Sequence, residues 1–279
     1  MRKRFLSLIT LALASSAFAQ PMVDRVPQDS LMYVGWAGAD ALAGKYEQSH
    51  LKAVADASRV QALFGPFLTQ AQARVAKDNP QAAQPMRLAR AFGAPLWKYP
   101  SVACLVDFGG DDEHADAKPR GFILCRAGNE AAALNKQLQT ALPPAGDLLS
   151  FVDGDTVVLA FGFADPKTAL GTSAKSLSQN AVFTSAMAKL RKDEALTLFI
   201  NAQNVVAQME AVQQRQNASP QRVEQFKRFL DASGLRGLQS YASTSGFDGK
   251  EWLSQSFASA PGPRKGLLAL GGTTPASQE

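Results

Sequence analysis

Two Asp-Gly pairs, Asp153-Gly154 and Asp248-Gly249, constrain this chain more than any other feature of its sequence. Strand-like runs flank each of them: Leu148–Val152 and Thr156–Phe161 around the first, Leu238–Phe247 and Lys250–Ala258 around the second. Asp-Gly suits a type I′ turn, whose two central residues both take positive φ, and that turn joins neighbouring antiparallel strands. Two such hairpins tie the chain to antiparallel sheet in two separate places.

The order of elements ahead of each hairpin recurs. Asp29–Gly38, a short run rich in aromatic and β-branched residues and ended by glycines, reads as a strand buried on both faces, and Leu196–Asn201 reads as its counterpart. Between the strands lie helical stripes. Val60, Leu63, Phe64, Phe67, Leu68, Ala71 and Val75 recur at helical spacing around Gly65-Pro66, and a second helix is expected over about 82–92, before Pro95. Asn129 is placed to cap a helix carrying Leu134, Leu138 and Leu142 that Pro143-Pro144 stops. Phe183, Met187 and Leu190 mark a helix within 175–190, and a Gln-rich helix starts near Gln203. A last helix opens on Ser219-Pro220, buries Val223, Phe226, Phe229 and Leu230, and ends at Gly234. The expected fold is α+β: a mostly antiparallel mixed sheet with helices packed on it, in two related halves, 20–165 and 166–272, that share the sheet. Residues 273–279 are expected to be a disordered tail.

Residues 1–19 carry Arg2-Lys3-Arg4, an apolar run from Phe5 to Ala14, and Ala17-Phe18-Ala19. That is the pattern of a secretory signal peptide cleaved near Ala19, and the apolar run is short of the roughly 20 residues a membrane span needs. The expected location is periplasmic or extracellular, with no transmembrane segment in the mature chain. Removing the leader takes three basic residues with it, so the formal charge falls from 29 − 24 = +5 to 26 − 24 = +2. No clustered Lys/Arg face remains, and nucleic acid is not an expected partner.

Export permits disulfides, and the chain has two cysteines, Cys104 and Cys125, on runs that read as neighbouring strands. If Val102–Phe108 pairs antiparallel with Gly121–Arg126 so that Val106 faces Ile123, Cys104 faces Cys125 and a bridge becomes feasible; two buried free thiols are the alternative.

Catalytic constellations are poorly supported. Histidine occurs only at His50 and His114, and the sequence has no nucleophile elbow, phosphate loop, dinucleotide fingerprint or paired-histidine zinc motif. The acidic stretch 111–116 lacks the alternating spacing and central Gly of a calcium loop and reads as a solvated hairpin tip, so neither a metal nor another cofactor is expected. Asp155-Thr156 does not complete an aspartic-protease motif, which needs Asp-Thr/Ser-Gly in that order, and belongs to the hairpin. Ser49-His50-Leu51-Lys52 matches Ser-x-x-Lys, and Ser178-Gln179-Asn180 matches Ser-x-Asn. A serine-type acyl hydrolase or transferase using Ser49 and Lys52 is therefore the alternative function. It wants a Lys-Thr-Gly string, which Lys167-Thr168-Ala169 does not supply, and Ser49 also suits a helix N-cap. No catalytic residue is assigned. The best binding surface is Trp36, Lys45, Tyr46 and His50, just beyond the end of the first strand, where side chains combine apolar area with a polar handle.

Val26-Pro27-Gln28-Asp29-Ser30-Leu31-Met32-Tyr33-Val34-Gly35-Trp36-Ala37-Gly38, Tyr46-Glu47-Gln48-Ser49-His50-Leu51, Asp155-Thr156-Val157-Val158, Ser176-Leu177 before Phe183, Gly246-Phe247-Asp248-Gly249-Lys250-Glu251-Trp252, and Ala260-Pro261-Gly262-Pro263-Arg264-Lys265-Gly266 resemble an uncharacterised family of exported bacterial proteins, a domain of unknown function frequent in planctomycetes. The resemblance spans nearly the whole mature chain and implies export, with no activity or site attached. The expected role is that of an exported, non-catalytic protein binding an unidentified protein or small ligand in the cell envelope; a purely structural envelope component is a further alternative.

Overall fold

The computed structural model describes residues 20–58, 70, 74, 83–109, 118–142, 147–171, 175–192, 194–215 and 219–269. The leader, the helix expected over 60–75 apart from positions 70 and 74, the acidic stretch 111–116, the Pro143-Pro144 stop and the tail 273–279 lie outside the described residues.

The fold is α+β, built on one eight-stranded sheet. In chain order the strands are β1 (Met32–Trp36), β2 (Ser101–Asp107), β3 (Arg120–Arg126), β4 (Leu148–Asp153), β5 (Thr156–Phe161), β6 (Leu196–Ile200), β7 (Ser240–Asp248) and β8 (Glu251–Ser259). The helices are α1 (Ala39–Glu47), α2 (His50–Ser58), α3 (Ala83–Lys98), α4 (Ala131–Ala141), α5 (Pro166–Gly171), α6 (Ala181–Met187), α7 (Ala202–Arg215) and α8 (Pro220–Ser233). Across the sheet the order is β4-β5-β3-β2-β1-β6-β7-β8, and every pairing is antiparallel. On one side of the β1–β6 pair lie β2, β3, β5 and β4, and on the other β7 and β8.

Side chains alternate across the sheet, so its two faces are built from alternate positions of each strand. On the first face Tyr33, Cys104, Phe122, Ala160, Phe199 and Ala242 fall in one cross-strand row and are almost wholly buried. The cover is α6 together with the lead-in segment around Met22 and Val26. Asn180 starts α6, its Oδ1 accepting from the Val182 and Phe183 amides while its Nδ2 donates to the Gln28 carbonyl. Phe183 then sits edge-on to Tyr33, 5.9 Å between centroids, and to Phe199 at 5.0 Å. Each such fully buried side chain contributes roughly 1.5–3 kcal/mol of burial.

On the second face α3 and α4 close a smaller core over β3 and β5, formed by Phe92, Leu134, Leu138, Cys125, Val157 and Leu159. Covered on both sides, β5 is buried from Thr156 through Ala160. The expectation that β1 and β6 are the doubly buried strands is therefore corrected. Their burial alternates, because the second face over Met32, Val34, Leu198 and Ile200 is only half covered.

Several local expectations shift by small amounts. In both hairpins the two loop residues are one step later than expected, Gly154-Asp155 and Gly249-Lys250, since Asp153 pairs with Thr156 and Asp248 with Glu251. Only the glycines take positive φ, 63° and 59°. One positive φ at the first central position suits a type II′ turn rather than I′. The helix expected to stop before Pro95 runs on to Lys98, Asn129 sits in a short 3-10 turn rather than capping α4, and Phe229 is 58% exposed instead of buried. At α8 the sequence signals hold: Ser219 Oγ accepts from the Arg222 amide, and Gly234 closes the helix at φ 77°.

Candidate functional site

The cysteines can be placed first. Cys104 pairs with Phe122, not Cys125, and Cys125 pairs with Ser101. The actual register differs from the bridging one by three residues, an odd number, so the two thiols point to opposite faces of the sheet. The candidate disulfide is overturned: both are free and buried. Burial pushes the Cys104 thiol up to about 12 and the Cys125 thiol upward as well. Neither is a poised nucleophile.

Ser49 is 3% exposed and committed to the α1–α2 turn: its Oγ donates to the Tyr46 carbonyl at 2.6 Å and accepts from the Lys52 amide at 3.1 Å. This is N-cap geometry. The Lys52 ammonium bonds Asp56 at 2.6 Å, with Glu47 at 3.8 Å, and that hydrogen bond, reinforced by the two carboxylate charges, holds it above its ordinary range. A lysine needs a lowered pKa to serve as a base for serine, so both partners are engaged in the wrong sense for acyl transfer.

Of the four residues expected to form a binding surface, Trp36 and Tyr46 come together, in a cluster with Ala37, Leu42, Ala195 and Phe247. Trp36 lies at the end of β1 on the second face, and its Nε1 donates to the Trp97 carbonyl at 2.7 Å. The Trp97 ring stacks on it, 4.7 Å between centroids and 21° between planes, and is itself 64% exposed. On the other side of the cluster Phe247 meets Tyr46 at 6.4 Å and Trp252 at 5.0 Å. His50 stands at the border, its amide donating to the Lys250 carbonyl and its Nδ1 at 2.8 Å from Glu251 Oε1. Both side chains of that pair are more than 60% exposed, so it adds little stability. Lys45, in the last turn of α1, is exposed.

The surface thus gathers all three tryptophans of the chain, Trp36, Trp97 and Trp252. Sequence reasoning named only the first as a site residue. The signal for Trp97 was the pairing of Trp36 with Ser101, which puts the end of α3 beside the end of β1; it needs the strand order to be seen. At the rim, Lys98 Nζ donates to the Tyr99 hydroxyl at 2.8 Å and lies 3.7 Å from Glu130. That hydrogen bond first, then the Glu130 and Asp40 charges, hold Lys98 protonated above its usual range.

Among the described residues two further clefts stand out. One, of about 180 Å³, is lined by Asp107, Arg120, Gln208 and Arg215 among others, and ties the end of β2 to α7. Its carboxylate is already used, receiving Arg120 Nε at 2.7 Å, Nη2 at 2.8 Å and the Gly109 amide at 2.8 Å. The other, of about 380 Å³, lies between α7 and α8, where Arg236 bridges Glu210 and Asp231. Among the described residues no group of three or more His, Cys, Asp or Glu side chains could hold a metal ion, and no helix is long and apolar enough to cross a membrane.

The chain matches no family model, no curated protein and no solved structure. Its functional reading rests on the aromatic surface.

Proposed function

We propose that this chain is an exported, non-catalytic binding protein of the bacterial envelope, and that it contacts a protein or small ligand through the tryptophan surface. The observation that carries the reading is the convergence of Trp36, Trp97 and Trp252 at one end of the sheet, with Trp97 64% and Trp252 38% exposed. Tryptophan is costly to leave in water and is enriched where a partner's surface is desolvated. Lys45, Lys98 and His50 give the apolar patch a polar rim, the anatomy of a recognition surface. Support for a non-catalytic role comes from Ser49 and Lys52, which are engaged as a cap and an ion pair.

The test is photocrosslinking in living cells from a benzoyl-phenylalanine placed at position 97, with position 189 on the opposite face as control. A discrete adduct from 97 that is missing from 189 supports the reading. Equal, diffuse labelling from both removes it. Labelling of Ser49 by a fluorescent penicillin would instead establish the acyl-enzyme alternative.

A further inference from the structure

We propose that β8 pairs with the β8 of a second copy of this chain, joining two eight-stranded sheets across a two-fold axis. β8 is an edge strand of nine residues whose register with β7 runs unbroken over nine pairs, and its residues from Glu251 to Ser256 are all exposed. Among the described residues, no backbone group other than those of β7 hydrogen-bonds to its backbone between 251 and 258, and the Arg191 amide donates to the Gln255 side chain at 2.9 Å. The flanking bonds are from the Gln239 amide to Ser259, on the β7 side, and from the His50 amide to Lys250, in the turn. Edge strands are ordinarily blunted by charge, proline, a bulge or a covering element. From Trp252 to Ser259 this one carries no charged residue, proline or glycine.

The other edge is guarded by contrast. β4 has six residues, and ion pairs stand at both of its ends, Lys118 with Asp147 before it and Arg25 with Asp153 at its last residue.

The composition of β8 selects the occupant. Antiparallel pairing about Gln255 sets Leu253 opposite Phe257 of the second copy, Trp252 opposite Ala258, Ser254 opposite Ser256 and Glu251 opposite Ser259. Leu253, 43% exposed in the single chain, shares a face with Phe257, so the pairing buries two apolar pairs on that face, one on each side of the axis. On the other face the serines that already form a hydroxyl ladder with β7, Ser254 with Ser245 and Ser256 with Ser243, meet serines. Like charges never meet. An isologous contact of this kind closes on itself and leaves no free strand at the junction.

Sedimentation equilibrium of the purified protein should give twice the mass of the single chain, which is 29.7 kDa with the leader included, at micromolar concentration. Hydrogen exchange should show the β8 amides protected, with protection lost on dilution. Leu253→Lys should weaken association at least tenfold and leave the melting temperature of the dissociated chain nearly unchanged, since Leu253 is 43% exposed there and lies opposite Gly246. The double variant Ser254→Cys with Ser256→Cys should oxidise to a covalent dimer through 254–256 contacts between copies. A monomer whose β8 amides exchange freely overturns the proposal. So does a dimer that Leu253→Lys does not weaken, or a monomer whose β8 is protected only when an extended peptide of another protein is added.

Discussion

Gly35 is where a single methyl group meets a fully buried ring, that of Tyr33. A Cβ added there would lie 2.2 Å from the Tyr33 hydroxyl oxygen, 2.7 Å from Cζ and 3.0 Å from Cε1, all inside van der Waals contact. Tyr33 cannot retreat cheaply: it is fully buried, edge-on to Phe183, and its hydroxyl donates to the Pro21 carbonyl at 2.9 Å. Gly35→Ala therefore either displaces the ring, which as overpacking costs about 1–3 kcal/mol, or also breaks the hydroxyl bond, adding about 1–3 kcal/mol for the orphaned groups. A loss of roughly 3 kcal/mol lowers the melting temperature by about 6–12 °C in a chain of this size. Urea unfolding followed by tryptophan fluorescence reads the change directly. Tyr33→Phe removes the atom nearest the new methyl, so in the double variant the Gly35→Ala penalty should shrink by about 1 kcal/mol, a coupling expected only of residues in contact. A Gly35→Ala protein within about 0.5 kcal/mol of the parent, the range of an inconsequential surface change, would refute the close packing of Tyr33 over Gly35.

Other consequences follow from the same geometry. Native protein should show no thiol reactive toward Ellman's reagent and denatured protein two, with identical masses before and after reduction, because Cys104 and Cys125 are free, buried and on opposite faces. The Cys104 thiol is raised in the folded state from 9.0 to about 12, so the folded chain holds its proton more tightly than the unfolded chain. Its stabilising contribution is complete below pH 9 and is lost as pH climbs toward 12, by about 1.4 kcal/mol per pH unit; Cys104→Ala should flatten that part of the alkaline unfolding profile. Asn180→Ala removes an N-cap and the Gln28 contact together and should cost about 2–3 kcal/mol in urea unfolding. Trp97→Ala keeps the carbonyl that Trp36 Nε1 uses and loses the stacking, about 0.5–1.5 kcal/mol, so loss of crosslinking from a benzoyl-phenylalanine at the neighbouring exposed position 45 with a near-normal melting temperature would separate binding from folding.

Much of the fold could be read from local chemistry. Asp-Gly pairs announced both hairpins, and Ser219-Pro220 with Gly234 bracketed α8, since turns and caps are decided by neighbours in the chain. The turn type was missed by one residue because Asp153 and Asp248 prefer to remain in their strands, leaving each glycine alone with positive φ. Register between β2 and β3 was misjudged for a different reason. Both Val102–Phe108 and Gly121–Arg126 are apolar at nearly every position, so alternation gave no face to align, and the side chains that decide it, Phe122 under Phe163 and Cys125 under Pro95, come from distant segments. The same limit applied to the site. Trp36 and Tyr46 lie close in sequence and were found together, whereas Trp97 and Trp252 join them only through the strand order β2-β1-β6-β7-β8.

The most direct measurement on the tryptophan surface is oxidative footprinting of Trp97, compared between purified protein and intact cells. Its exposed ring should react readily in isolation and be protected several-fold in the envelope, while the Tyr241 ring, on the same sheet but away from the patch, reacts alike in both. Equal reactivity of Trp97 in the two settings would contradict a partner-binding role for this surface.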